Sequence, residues 1–150
     1  MSIYSEIFAG RAPGRFVWED EICVVLATIE PVAPGHVLVV PRLEVDKYFN
    51  LPPQIFAHLV KIAQIIGRAQ ETAFHTTGSV LTIMGFSVPH VHLHLIPANP
   101  EDVHNFRKAT PQAHKNLEAP MQKLRQVLID MGYGEFVPDL CHLKNKSRAI

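Results

Sequence analysis

Three imidazoles stand on alternate positions of the stretch SVPHVHLHLIP, residues 87–97: His90, His92 and His94. A period of two is the strand period, in which successive side chains point to opposite faces of a sheet. Val91, Leu93 and Leu95 are then expected to pack into a core while the histidines share the other face, roughly 6.6 Å apart at about 3.3 Å per residue. Wound as a helix, the same three would scatter around the axis. Such a row admits three readings. It can be a solvated strand face without a function. It can bind zinc, since two histidines at i and i+2 can bring nitrogens to about 2.0–2.1 Å from one metal. The third is harder to bring in from the same strand, and no Cys, Asp or Glu lies nearby in sequence. Or it can be a nucleophilic centre, because imidazole attacks well near neutral pH and neighbouring rings can relay protons and hold a phosphate.

The rest of the chain has to hold that strand. Its 150 residues suit a single domain, 1–150, with one substantial core. Hydrophobic residues make up 47% and charged ones 19%, ordinary for a soluble globular protein. Lys+Arg and Asp+Glu balance at 14 each, so no overall field draws the chain to nucleic acid or an anionic membrane. Residues 72–100 carry no Asp, Glu, Lys or Arg, but their Gly, Pro, Ser, Thr and four His argue against a lipid-facing helix. Glu6, Arg11 and Arg15 leave no signal-peptide core, and Cys23 and Cys141 form no metal-type pair. The expected compartment is the cytoplasm.

SIYSEIFAG reads as a short amphipathic helix opened by Ser2 and closed at Gly10. Strands are expected around residues 15–18 and 22–28, joined by an acidic turn, and at 36–40 after the proline-framed loop EPVAPGH. Ile55, Leu59, Ile62, Ile66, Ala69 and Ala73 recur at helical spacing behind Pro52 and Pro53, predicting a long helix over 53–75. Two more strands are expected at 80–84 and 91–96, and a last helix near 114–131, ending at Gly132. The pattern predicts an α+β fold: a mainly antiparallel five-stranded sheet, one long helix, a C-terminal helix and an irregular tail over 134–150.

HVHLHLI matches the pattern His-φ-His-φ-His-φ-φ, with φ apolar, that names the histidine triad superfamily. Upstream, APGHVLVVP and the opening SIYSEIFAGRAPGRFVWED resemble further stretches of that family, so the resemblance runs from Ser2 to Pro97. A histidine at the third triad position, His94, is closest in pattern to the nucleotide hydrolase branch; the nucleotidyltransferase branch carries glutamine there. The resemblance implies a HIT-like fold and a nucleotidyl hydrolase acting at the α-phosphate of a phosphoramidate, mixed anhydride or dinucleoside polyphosphate. His92 would attack the phosphorus and form a nucleotidyl-histidine, which water resolves. His90 and His94 would orient His92, bind phosphate oxygens and assist proton transfer, His36 would line the same pocket, and Ser87 would contact the phosphate. No cofactor is implied. A homodimer is, paired through the long helix and an edge strand.

The departures from the pattern carry their own expectations. Where many relatives hold a structural zinc with two cysteines and a histidine, this chain has Ser2, Ser5 and Glu44, so no metal is expected. The ribose-binding aspartate corresponds to Thr28, which can make fewer acceptor contacts. A phosphate-holding glutamine four residues before the triad is replaced by Phe86. An intact histidine row with altered nucleotide-recognition groups leaves a second reading, a nucleotide- or phosphate-binding module with little catalysis, and a third, a metal-binding protein.

Overall fold

The computed structural model describes residues 1–106 and 115–139. The strands are β1 (Phe16–Glu19), β2 (Cys23–Ala27), β3 (Val37–Pro41), β4 (Gly78–Thr82) and β5 (Leu93–Ala98). They form one sheet in the order β1-β2-β3-β5-β4, antiparallel at every pairing. With helices α1 (Ile3–Phe8), α2 (Pro53–Phe74) and α3 (Glu118–Leu128), this is the expected α+β architecture.

β2 and β3 are continuous apolar runs because both faces of the sheet are covered, and every residue in them is buried. Alternation divides them. Val25, Val37 and Val39 point into a large core with Leu59, Ile62 and Ile66 of α2 and Leu124 and Leu128 of α3. Val24, Leu26, Leu38 and Val40 point the other way, into a smaller core closed by Tyr4 and Ile7 of α1. The same division orients β5: Leu93 and Leu95 join the large core, while His94 stands opposite Leu38 on the α1 side. α1 is held at its start by Ser2, whose Oγ accepts the Ser5 amide at 3.1 Å. α2 opens on Pro53 and ends at His75, which takes a left-handed conformation at φ 55°.

Several boundaries differ from expectation. The fifth strand starts at Leu93, not at residue 91, because the Val91 amide bonds the Val45 carbonyl at 2.8 Å instead of joining the ladder with β3. His90 and His92 therefore lie in the turn that enters the strand. The fourth strand begins at Gly78, two residues early, and ends at Thr82 opposite His94; the chain then leaves the sheet for a loop through Gly85. The last helix starts at Glu118, with residue 114 outside the described part, and beyond Leu128 it widens into a π turn broken at Gly132, φ 96°. The beginning of the tail docks: Phe136 stacks on Trp18 with ring centroids 4.6 Å apart. The remainder, residues 140–150 with Cys141, lies outside the described residues. Among the described residues no helix is long and apolar enough to cross a membrane.

Candidate active site

The histidine row is not a solvated face. His90, His92 and His94 are buried, at 0%, 5% and 9% exposure, beneath α1 and the loop entering β5. Tyr4 of α1 packs on two of them, with ring centroids 5.5 Å from His90 and 5.2 Å from His92. His36, one residue before β3, is buried as well and comes from the neighbouring strand.

Hydrogen-bond partners assign the proton on each neutral ring, since a backbone amide only donates and a carbonyl only accepts. The Val32 amide donates to His36 Nδ1 at 3.2 Å, so His36 carries its proton on Nε2. That Nε2–H donates to His94 Nδ1 at 2.9 Å, which leaves the His94 proton on Nε2. His92 is the reverse. Its Nδ1 lies 2.8 Å from the His90 carbonyl and must be the protonated nitrogen, so Nε2 keeps its lone pair. Both nitrogens of His90 are engaged: Nε2–H donates to the Pro41 carbonyl at 2.7 Å, and Nδ1 accepts the Ser2 hydroxyl at 2.5 Å.

Burial keeps these rings neutral. It pushes His36 down to about 3, helped by His94 and His92, and His94 down to about 4, helped by His92. His92 and His90 are lowered too, again through burial. A lone pair on His92 thus stands beside an N–H on His94, their rings 4.9 Å apart. A nucleophile next to a fixed donor is what attack at phosphorus requires.

His36, His92 and His94 line a cavity of about 770 Å³, and Thr28, Phe86 and Ser87 line the same cavity. His90 does not; it supports His92 from behind through its carbonyl. Thr28 is half-buried, and its Oγ1 accepts the Glu30 amide at 3.2 Å, so part of its acceptor capacity is spent on its own turn. Phe86 is 94% exposed at the mouth, beyond Gly85 at φ 71°, and Ser87 is exposed beside it. Tyr4, Ile3, Val32 and Met84 also line the cavity and went unnoticed in the sequence. Tyr4 and Ile7 form the inward side of a six-residue helix, and that spacing was the available signal.

The residues at the zinc positions do come together, but as a hydrogen-bonded group. The Ser2 amide donates to Glu44, Ser5 Oγ donates to the same carboxylate at 3.4 Å, and Ser2 Oγ closes on His90. Two neutral hydroxyls and one carboxylate beside a ring whose nitrogens are both hydrogen-bonded do not fit a zinc site. Elsewhere, among the described residues, Asp20, Cys23 and His58 place one donor atom each within 4.8 Å of one another. Asp20 is already filled: it accepts from the amides of Ile22 and Cys23, from Trp18 Nε1 and from His58 Nε2. Burial opposes its ionisation, but these bonds outweigh it and hold the carboxyl at about 2.

The HIT domain family model matches residues 9–101, well over half of the chain. A bis(5'-adenosyl)-triphosphatase of Dictyostelium discoideum is 30% identical over 118 residues, 70% of this chain and 79% of that one. An uncharacterized HIT-like protein of Saccharolobus solfataricus is 28% identical over 123 residues, 79% of this chain and 88% of that one. Among solved structures, a zinc-bound histidine triad family protein from Mycobacterium smegmatis superposes with a TM-score of 0.76 at 25% identity, over 88% of this chain and 96% of that one. The match spans the histidine row, the turn that delivers His36 and all five strands that align them: the chain belongs to the histidine triad family.

Proposed function

We propose that this protein is a nucleotidyl hydrolase that uses His92 Nε2 as its nucleophile. The observation that carries the reading is the bond from His92 Nδ1–H to the His90 carbonyl, which leaves Nε2 unprotonated on a ring lining the cavity. Nε2 attacks the α-phosphorus of a nucleoside phosphoramidate, mixed anhydride or dinucleoside polyphosphate; a bond from nitrogen to phosphorus forms, and the bond to the leaving group breaks. A carboxylate or polyphosphate departs as the anion, and an amine takes a proton from water. The ring becomes cationic, and the His90 carbonyl stabilises it through Nδ1–H. His94 Nε2–H donates to a phosphate oxygen. Water then attacks the phosphorus, loses its proton to solvent and returns His92 to the neutral ring as the nucleoside monophosphate leaves.

Resemblance to a bis(5'-adenosyl)-triphosphatase supports the substrate class. The mouth at Phe86 and Met84 suits an apolar leaving group. We place the enzyme in the cytoplasm, where the buried free thiol of Cys23 stays reduced, and as a homodimer joined along β4. Incubation with adenosine phosphoramidate and with diadenosine triphosphate should release AMP, and quenching in alkaline denaturant, where a bond from histidine nitrogen to phosphorus survives, should trap an adenylylated protein by mass. Nucleotide binding with no AMP released from either substrate would leave a binding module instead.

A further inference from the structure

Gln70 occupies a place where the pattern of α2 calls for an apolar residue. It lies one turn beyond Ile66 on the core-facing side of the helix, and its side chain is 0% exposed. A buried amide without partners is strongly unfavourable, yet this one is well satisfied. Its Nε2 donates to the carbonyl of Gly35 at 2.9 Å and to the carbonyl of Leu95 at 3.0 Å. Its Oε1 accepts the Ser79 hydroxyl at 2.5 Å. Two carbonyls require the amino group on that side and the hydroxyl fixes the oxygen, so the amide has one orientation.

The two carbonyls are not arbitrary. Gly35 immediately precedes His36, and Leu95 immediately follows His94. Those are the rings joined by the 2.9 Å bond between His36 Nε2 and His94 Nδ1. Gly35 adopts φ 86°, and a Cβ there would overlap the ring of Phe74, so its turn sits directly against the end of α2. We propose that Gln70 is a positioning residue: one side chain on the opposite face of the sheet braces the backbone on both sides of the His36–His94 hydrogen bond and so sets the tautomer that His94 presents to the cavity.

Only the kinetic half of the test rests on the proposed hydrolase. Ring nitrogen-15 spectra of His36 and His94 should show a single Nε2–H tautomer each in the wild type, and averaged tautomers in Gln70→Leu. In turnover, Gln70→Leu should lower kcat by about tenfold to 100-fold with KM nearly unchanged, as for a small misplacement of reacting groups. Against a His36→Ala background the same substitution should change kcat by less than about twofold, because its route of action is gone. Ser79→Ala removes the hydroxyl that holds Oε1 and loosens the amide, while sparing both carbonyl bonds. It should give the same spectral change at smaller amplitude, and it decides the matter if Gln70→Leu does not fold. Unchanged tautomers in Gln70→Leu, or in Ser79→Ala where only that variant folds, would overturn the inference. So would equal losses of kcat with and without His36. If no substrate turns over but the spectra change as stated, the hydrolase reading falls and the positioning role stands.

Discussion

His92 and His94 differ in the nitrogen that bears the proton, and that difference separates the proposed nucleophile from the proposed donor. His92→Ala removes the only ring among the described residues lining the cavity whose Nε2 is left with a lone pair by its partners. Turnover should fall by at least about a thousandfold, roughly 4 kcal/mol in barrier. AMP release by His92→Ala near the wild-type rate would rule out the covalent route. Thr28 is the second test at this scale. Its hydroxyl is partly committed to the Glu30 amide, so it has little to give a ribose. In Thr28→Asp one carboxylate oxygen can keep that bond and the other can accept from a ribose hydroxyl with charge assistance. AMP should bind about tenfold more tightly, an increment of about 1.4 kcal/mol. Calorimetric titration of both proteins measures it, and tight wild-type binding weakened by the new carboxylate would place the ribose elsewhere. The histidine row was legible in the sequence because its period is local. The tautomers were not: those of His90 and His94 depend on Pro41, Ser2 and His36, far along the chain, and those of His36 and His92 on turn geometry that residue types alone do not show.

α1 is short, with six residues; besides the packing of Tyr4, its hydrogen-bonded hold on the site comes through its cap, Ser2. That residue caps the helix, bonds Glu44 and supplies the hydroxyl on His90 Nδ1. Ser2→Ala leaves a buried ring nitrogen without a partner and removes a cap, which together should destabilise the fold by about 2–3 kcal/mol. Chemical denaturation reads this directly; an unchanged midpoint would show that α1 does not depend on the contact. The helices and strands themselves followed their patterns: the stripe of Leu59, Ile62 and Ile66 made α2, and alternation in β2 and β3 divided two cores. Errors fell at element ends. The start of β5 was set by the Val91–Val45 bond, and the end of β4 by the length of its pairing with β5, both between residues far apart in the chain. Gln70 was hidden for the same reason, a polar residue whose partners come from three other segments.

Two properties belong to the molecule as a whole. The first is acid sensitivity. Unfolded histidines take up protons near pH 6.5, while the folded rings of His36 and His94 resist until about 3 and about 4. Between those limits the unfolded state binds more protons, so stability is full above pH 6.5 and falls as pH drops. Each such ring contributes about 1.4 kcal/mol per pH unit. Urea midpoints measured from pH 7 to pH 5 should decline, and a flat profile would mean the rings are not held neutral. The second is assembly. On α2, Ile65 belongs to the core, and Ile55 and Phe56 pack against it. What remains is Val60 with Leu81, which is 48% exposed on β4, an outer strand of the sheet. They line a groove of about 280 Å³ between α2 and β4, where Gly67 supplies no side chain to fill it. An outer strand beside a groove of mixed apolar and polar lining favours pairing with another strand, and a two-fold axis through β4 would cover both at once. Light scattering at micromolar concentration should give twice the mass of the 16.8 kDa chain, and Leu81→Lys should shift it towards one. A monomeric wild type would defeat the dimer, and a dimer indifferent to Leu81→Lys would move its interface away from β4.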